Sequence, residues 1–208
     1  MYKVTEELVN NLKAYKAGTT LPDEQERGRA AVLIPIINKP EPTIILTQRA
    51  ARMDSHAGEV AWPGGKQDPE DDDLAQTALR ESHEEIGLAP GKVELVAELR
   101  PFISKYGLLV TPFVGLVQHP VRLTANPDEI DSIFQVPLSW LKDDPRTQTD
   151  VVSRHGETHQ VPVYHFDGFR IWGLTAMILW EFMVEAMRVD SGGSACDKLS
   201  GIVNEGWE

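Results

Sequence analysis

Cysteine is almost missing from this chain: its 208 residues include one, Cys196. A lone thiol closes no intramolecular disulfide, which fits a reducing compartment. It lies in the Ser/Gly-rich stretch RVDSGGSACDK, away from any His and Asp pattern, so a catalytic thiol is not expected there. Positive charge is also scarce. Twenty basic against 32 acidic residues leave a net charge of −12, and no global positive field draws in a nucleic acid or an anionic membrane. A small anionic substrate stays open, provided that bound metal and a few local cations reverse the sign within the site. Long hydrophobic runs are missing too. The most apolar late stretch, IWGLTAMILWEFMVEAM, is interrupted by Glu181 and Glu185 and reads as a packed amphipathic helix rather than a membrane span. The opening MYKVTEELVNNLKAYKAG reads as an amphipathic helix without the apolar core of a signal peptide. With no low-complexity tract and no internal repeat, the expectation is a soluble cytoplasmic protein of one domain with decorations.

The chain alternates strand-like and helical segments. After the first helix, TTLPDEQERG is a polar linker. AAVLIPIIN is a β-branched apolar run that reads as a strand buried on both faces, and TIILTQR follows after the turn KPEP as an antiparallel neighbour. Residues 50–73 read as a long loop, and loops of that length in compact domains are usually functional or disordered. A helix is expected over 74–86, closed by Gly87 as a left-handed cap. KVELVAELRPFIS and LLVTPFVGLV read as strands around KYG. PDEIDSIFQVPLSWLK reads as a short helix or turn, followed by strands near 147–155 and 160–172 and a last helix over 173–188. This order predicts an α/β fold, a mixed sheet covered by helices on both faces. The expected divisions are 1–28 (helix and linker), 29–188 (the domain) and 189–208 (a tail).

The stretch GGKQDPEDDDLAQTALRESHEEIGL, residues 64–88, crowds carboxylates into a chain that is already anionic. At 100° per residue, Glu81, Glu84 and Glu85 fall within one narrow arc, and Ala75, Leu79, Ser82 and Ile86 fall on another that can be buried. Ionised carboxylates so close repel and raise at least one pKa unless a cation compensates. Hard divalent ions take oxygen ligands, so the cluster suits a partial Mg²⁺ shell. A solvated acidic stripe is the plainer alternative. Against it stands WPGGK just upstream, where Gly64 and Gly65 let backbone approach an ion or phosphate closely.

Arg80-Glu81-Ser82-His83-Glu84-Glu85-Ile86-Gly87-Leu88, led in by a glycine loop, resembles the signature of the Nudix hydrolases. The common spacing places a Gly and a Glu where this chain has Lys66 and Asp72, so the loop counted from Gly65 is one residue longer. The upstream acidic position then falls to Glu70, Asp71, Asp72 or Asp73. LTQRAARMDSHAGEVAWPGGKQD is similar to a second signature, that of the coenzyme A diphosphatase branch, with Ala50, Met53 and Trp62 as departures. VTPFVGLV and FRIWGLTAMIL also resemble that branch.

The resemblance implies an α/β/α sandwich and a pyrophosphohydrolase that requires Mg²⁺ or Mn²⁺. It implies a small nucleotide of the coenzyme A kind as substrate, and ADP-ribose, a dinucleotide or a nucleoside triphosphate is the alternative. Another reading is a catalytically silent nucleotide sensor. Glu81 and Glu85 are expected as principal metal ligands, with Glu84 and the Gly65 carbonyl in addition, and Arg80 as the group orienting a glutamate. The general base is open among Glu84, Glu85 and Glu129. Arg49, Arg52, Lys66 and Lys105 are candidates to face substrate phosphates. His56, Gly58 and Glu59 belong to the second signature. Trp62 and Trp172 are expected in the core, with stacking on an adenine as the alternative, and a homodimer is compatible with the sequence.

Overall fold

The computed structural model describes residues 6–16, 27–53, 56–154 and 157–190. The expected linker around 19–26, most of the tail and Cys196 lie outside the described residues. Two strands open the sheet, β1 (Arg29–Asn38) and β2 (Thr43–Arg49). They pair antiparallel only next to their turn, at Ile36–Ile44 and Ile37–Thr43, and then diverge. Two short strands fill the gap. β3 (Val60–Ala61) pairs with β2, and β4 (Gly64–Lys66) pairs with β1 through Ala30–Lys66, Ala31–Gly65 and Val32–Gly64. Pro63 lies between them, and its carbonyl accepts from the Leu33 N–H at 2.8 Å. Residues 50–73 are therefore not one loop: the Trp-Pro-Gly-Gly segment is woven into the sheet.

The sheet is mixed, as expected. β5 (Val93–Glu98) and β6 (Phe102–Ile103) run antiparallel to β7 (Leu109–Gln118), which lies parallel to β1 along its whole length. KVELVAELRPFIS is thus two strands rather than one. The segment read as a short helix or turn is instead largely a strand, β8 (Ile130–Pro137), antiparallel to β2. Only α3 (Leu138–Leu141) is helical there. Isolated local preference lost to pairing with β2, where Ile130, Phe134 and Val136 are buried. A second, three-stranded sheet is built from β9 (Arg146–Arg154), β10 (Glu157–Phe166) and β11 (Phe169–Ile171).

Strand alternation explains the layers. Ala31, Leu33 and Ile37 of β1, with Ile45 and Phe113, pack with Leu74, Ala78 and Ile86 of α2 (Leu74–Ile86). The opposite set, Ile34, Ile36, Ile44 and Leu46, packs with Leu8 and Leu12 of α1 (Glu6–Ala14) and with Met177 and Trp180 of α4 (Gly173–Glu185). The result is an α/β/α sandwich. α4 ends three residues before the expected 188. Glu181 sits inside this layer, and its burial is compensated: the Tyr15 hydroxyl donates to Oε1 at 2.9 Å and Arg100 reaches Oε2 at 2.8 Å. A buried carboxylate so matched ties α1 to α4 and to the β5–β6 connection. No helix among the described residues is long and apolar enough to cross a membrane.

Candidate active site

α2 starts on a side-chain cap and stops on a glycine. Asp73 caps it, accepting from the Gln76 N–H at 2.8 Å, while Gln76 Oε1 reaches back to the Asp72 N–H at 2.6 Å, a variant of the reciprocal capping box. At the other end Gly87 adopts φ 66° and returns its N–H to the His83 carbonyl. The connection after β7 closes on this end as well. Thr124 N–H donates to the Ile86 carbonyl and Asn126 N–H to the Glu85 carbonyl, at 2.9 and 2.8 Å. The Glu129 carbonyl accepts from Ala50 N–H at 2.8 Å. Residue 129, distant in sequence, is thereby stapled between α2 and the end of β2.

The two glycines set the approach of β4 to α2. Gly64 has φ 150° and lies against the Ala31–Val32 backbone, where no Cβ fits. At Gly65 a Cβ would fall on the Glu81 carboxylate. The Gly64 N–H donates to Glu85 Oε2 at 3.1 Å, and Arg49 Nη1 pairs with Glu85 Oε1 at 3.3 Å. Glu85 is only 2% exposed. Burial pushes its carboxyl up to about 7, opposed by the Gly64 N–H and Arg49, while Glu81 and Glu129 add like-charge repulsion. Burial likewise raises Glu81, with Glu84 and Glu129 contributing in the same direction. Gly65→Ala is expected to push the Glu81 carboxylate aside and lower turnover about tenfold with the sandwich intact, checked by steady-state kinetics beside a thermal melt.

Arg80 is the hub of the helix's outer side. It grips Asp71 with two bonds, Nε to Oδ1 at 2.9 Å and Nη2 to Oδ2 at 3.0 Å. Its Nη1 meets Glu81 at 2.9 Å and Glu84 at 3.1 Å, and Nη2 donates to the Lys66 carbonyl at 3.2 Å. Asp71 is buried and also accepts from the Thr77 hydroxyl and the Asp68 N–H. Its carboxyl is held far below the ordinary carboxylate range, chiefly by the Arg80 hydrogen bonds. Of the four candidates for the upstream acidic position, Glu70, Asp71, Asp72 and Asp73, only Asp71 is buried.

The expected site residues divide. Glu81, Glu85, Gly65, Arg49 and, through its charge, Glu129 converge. Glu84 is 53% exposed on its side chain and tied to Arg80. His56 and Glu59 bond each other at 2.6 Å, with His56 at φ 56°. These two, Arg49, Gly65 and Lys105 line a cavity of about 380 Å³. Gly58 turns the loop at φ 71° outside that lining. Arg52 forms an exposed ion pair with Asp128 at 3.3 Å, and the Lys66 side chain is exposed. Neither lines the cavity. Trp62 is buried as expected, but Trp172 is 38% exposed and belongs to the cavity rim, a correction.

The Nudix domain model matches residues 27–155. This chain belongs to the Nudix family. An uncharacterized Nudix hydrolase NudL of Photorhabdus laumondii is 47% identical over 150 residues, spanning 72% of this chain and 80% of the relative. The NudL protein of Yersinia pestis is 44% identical over 151 residues, 73% of this chain and 76% of the relative. Among solved structures, the Nudix hydrolase RenU of M. smegmatis overlays with a TM-score of 0.46 at 20% identity, covering 55% of this chain and 73% of that one. The protein is thus a Nudix pyrophosphohydrolase acting on nucleoside-diphosphate-linked compounds.

Nudix hydrolases generally use divalent metals such as Mg²⁺ or Mn²⁺, and the residues present fit such an ion as a partial shell. Two glutamates with raised carboxyls and a third nearby carry a repulsion that a cation relieves. Among the described residues no three carboxylate, imidazole or thiolate groups stand ready as a closed cage; Arg80 and Arg49 hold the carboxylates. Mg²⁺ keeps several waters and takes one or two carboxylates plus substrate phosphates, so a Nudix site of this kind needs no such cage.

Proposed function

We propose that this Nudix enzyme hydrolyses coenzyme A or an acyl-coenzyme A to 3′,5′-ADP and a 4′-phosphopantetheine product. The observation that carries the reading is one cavity. The segments that resemble the coenzyme A diphosphatases, around residues 49–65 and 172–178, line it together, and it touches Gly64 and Gly65 beside the glutamates of α2. Its inner wall is aliphatic, with Val32, Val60, Leu108, Val110 and Ile178, a surface suited to a pantetheine or acyl arm.

In this reading Glu81 and Glu85, with Glu84 and the Gly65 carbonyl, hold the divalent ions, which neutralise the diphosphate and lower the pKa of water. Arg49 does two things: it orients Glu85, and it brings a fixed positive charge to the cavity end that takes the diphosphate. Arg80 holds Glu81 and Glu84 in place from outside. Water oxygen bonds to one phosphorus, the bridging P–O bond breaks, and a proton leaves the water. Glu84 is engaged by Arg80, and Glu85 by Arg49 and Gly64. We therefore assign the proton to Glu129, whose backbone is held between Asn126, itself bonded to Glu85 of α2, and Ala50 at the end of β2.

The test offers coenzyme A, ADP-ribose, NADH and a nucleoside triphosphate in parallel with Mg²⁺ or Mn²⁺. Release of 3′,5′-ADP from coenzyme A at the highest kcat/KM is the expected result. Faster turnover of ADP-ribose keeps the chemistry and discards the substrate. No turnover of any of the four favours a nucleotide sensor.

A further inference from the structure

Three large apolar side chains are exposed among the described residues: Tyr106 (63%), Val151 (65%) and Trp172 (38%). Two of them border the same cavity, and Val152, beside the third, lines it too. Exposed aromatic surface concentrated at one opening marks a binding surface. Tyr106 sits on the turn between β6 and β7, which closes by Gly107 N–H to the Ser104 carbonyl. Trp172 precedes α4. That position is fixed from below, because the Thr175 hydroxyl donates to the Val60 carbonyl and Trp62 Nε1 donates to the Thr175 carbonyl, at 2.9 and 3.1 Å.

Each of these rings carries a cation. Lys105 Nζ lies 4.9 Å from the Tyr106 centroid, and Arg170 Cζ lies 4.9 Å from that of Trp172. His56 meets Tyr106 edge-on at 5.4 Å, which adds a second brace. Arg170 is also paired with Asp150 at 3.0 Å, so the rim is aromatic and carries Lys105, while the interior is aliphatic. An alkyl arm has use for the interior but none for a rim cation. A flat, aromatic ring attached to phosphate fits both properties of the rim.

We propose that Tyr106 and Trp172 are the specificity-determining residues that stack the adenine of the substrate. Lys105 and Arg170 brace the two rings, and Lys105 sets positive charge beside the nucleotide's phosphates. The assignment rests on the Gly64–Glu85 end of the cavity taking the diphosphate. It divides the substrate between rim and interior: base at the aromatic mouth, arm along the aliphatic wall.

The test measures binding by calorimetry of two probes, AMP, which has the base, and 4′-phosphopantetheine, which lacks it. Tyr106→Ala and Trp172→Ala are each expected to weaken AMP about tenfold, the scale of losing one base–aromatic stack, with 4′-phosphopantetheine unchanged. Tyr106→Phe and Trp172→Phe, which keep a ring, are expected to restore AMP binding. Unchanged AMP affinity in both alanine variants overturns the proposal, as does loss confined to 4′-phosphopantetheine, or a wild-type protein that does not bind AMP. Should Trp172→Ala fail to fold, Tyr106→Ala decides, since its side chain stands on an exposed turn. Failure of the coenzyme A reading is seen separately, as absent coenzyme A hydrolysis by a wild-type protein whose AMP binding still depends on the two rings.

Discussion

Glu85→Gln is expected to lower kcat on the order of 10³-fold while leaving the fold in place. The carboxylate is nearly fully buried, bonded by Gly64 N–H and Arg49, and an amide of the same shape cannot supply the negative charge a divalent ion requires. The same variant has a signature in stability. In the metal-free protein burial raises the Glu85 carboxyl from 4.5 to about 7. The folded state then holds a proton that the unfolded state has lost, so stability falls as pH rises from near 4.5 through about 7 and levels off above. The ionised group costs at most about 3 kcal/mol above that window. Melts of chelated protein from pH 5 to 8 should therefore show a steeper decline for wild type than for Glu85→Gln. Added Mg²⁺ should restore wild type most at pH 8, where the carboxylate is free to bind it. Equal slopes with and without the substitution would remove Glu85 from the role.

The layers of the sandwich were legible because they depend on periodicity. AAVLIPIIN and TIILTQR announce buried strands, and Gly87 marks the end of the 74–86 helix as a left-handed cap. What was not legible depended on pairing. IDSIFQVP alternates only loosely, and its strand character comes from β2 as partner. The split between β1 and β2, which admits Pro63 and the two glycines, has no local cause that a window of residues could reveal.

The site divides in the same way. The i, i+3, i+4 spacing predicted that Glu81, Glu84 and Glu85 share an arc, but a helical wheel does not say how deep each member sits. Glu85 ended under β4 and Glu84 in solvent. Arg80, expected to orient a glutamate, pairs with Glu84 one turn ahead. Its stronger partner, Asp71, was hidden among neighbouring acids of equal charge, of which only one is buried. Asp73 with Gln76 carries a readable signal, the Asp-x-x-Gln cap. Lys105 is legible as a candidate cation, Tyr106 as little beyond a turn, and the place of both at the cavity mouth comes from the β6–β7 pairing.

Asp71→Asn is expected to destabilise the protein by about 3 kcal/mol at pH 7, the scale of breaking one side of a buried, doubly bonded pair. Asparagine has the shape of aspartate but turns a donor toward Arg80 or Thr77, so at least one of the present bonds becomes a donor facing a donor. The pH dependence carries a definite sign. The folded carboxyl lies well below the ordinary value of 3.8, so its contribution is complete above that value and is lost as pH falls through the folded one. Urea melts should show a constant gap between wild type and Asp71→Asn from pH 8 to about 5, narrowing below about 4. Catalysis should suffer as well, because the guanidinium released from Asp71 also holds Glu81 and Glu84. A loss of stability with kcat unchanged would make Asp71 a brace for the loop alone. A fall in kcat of about tenfold or more under conditions where the variant is fully folded would make the Asp71–Arg80 pair the device that aims the glutamates of α2.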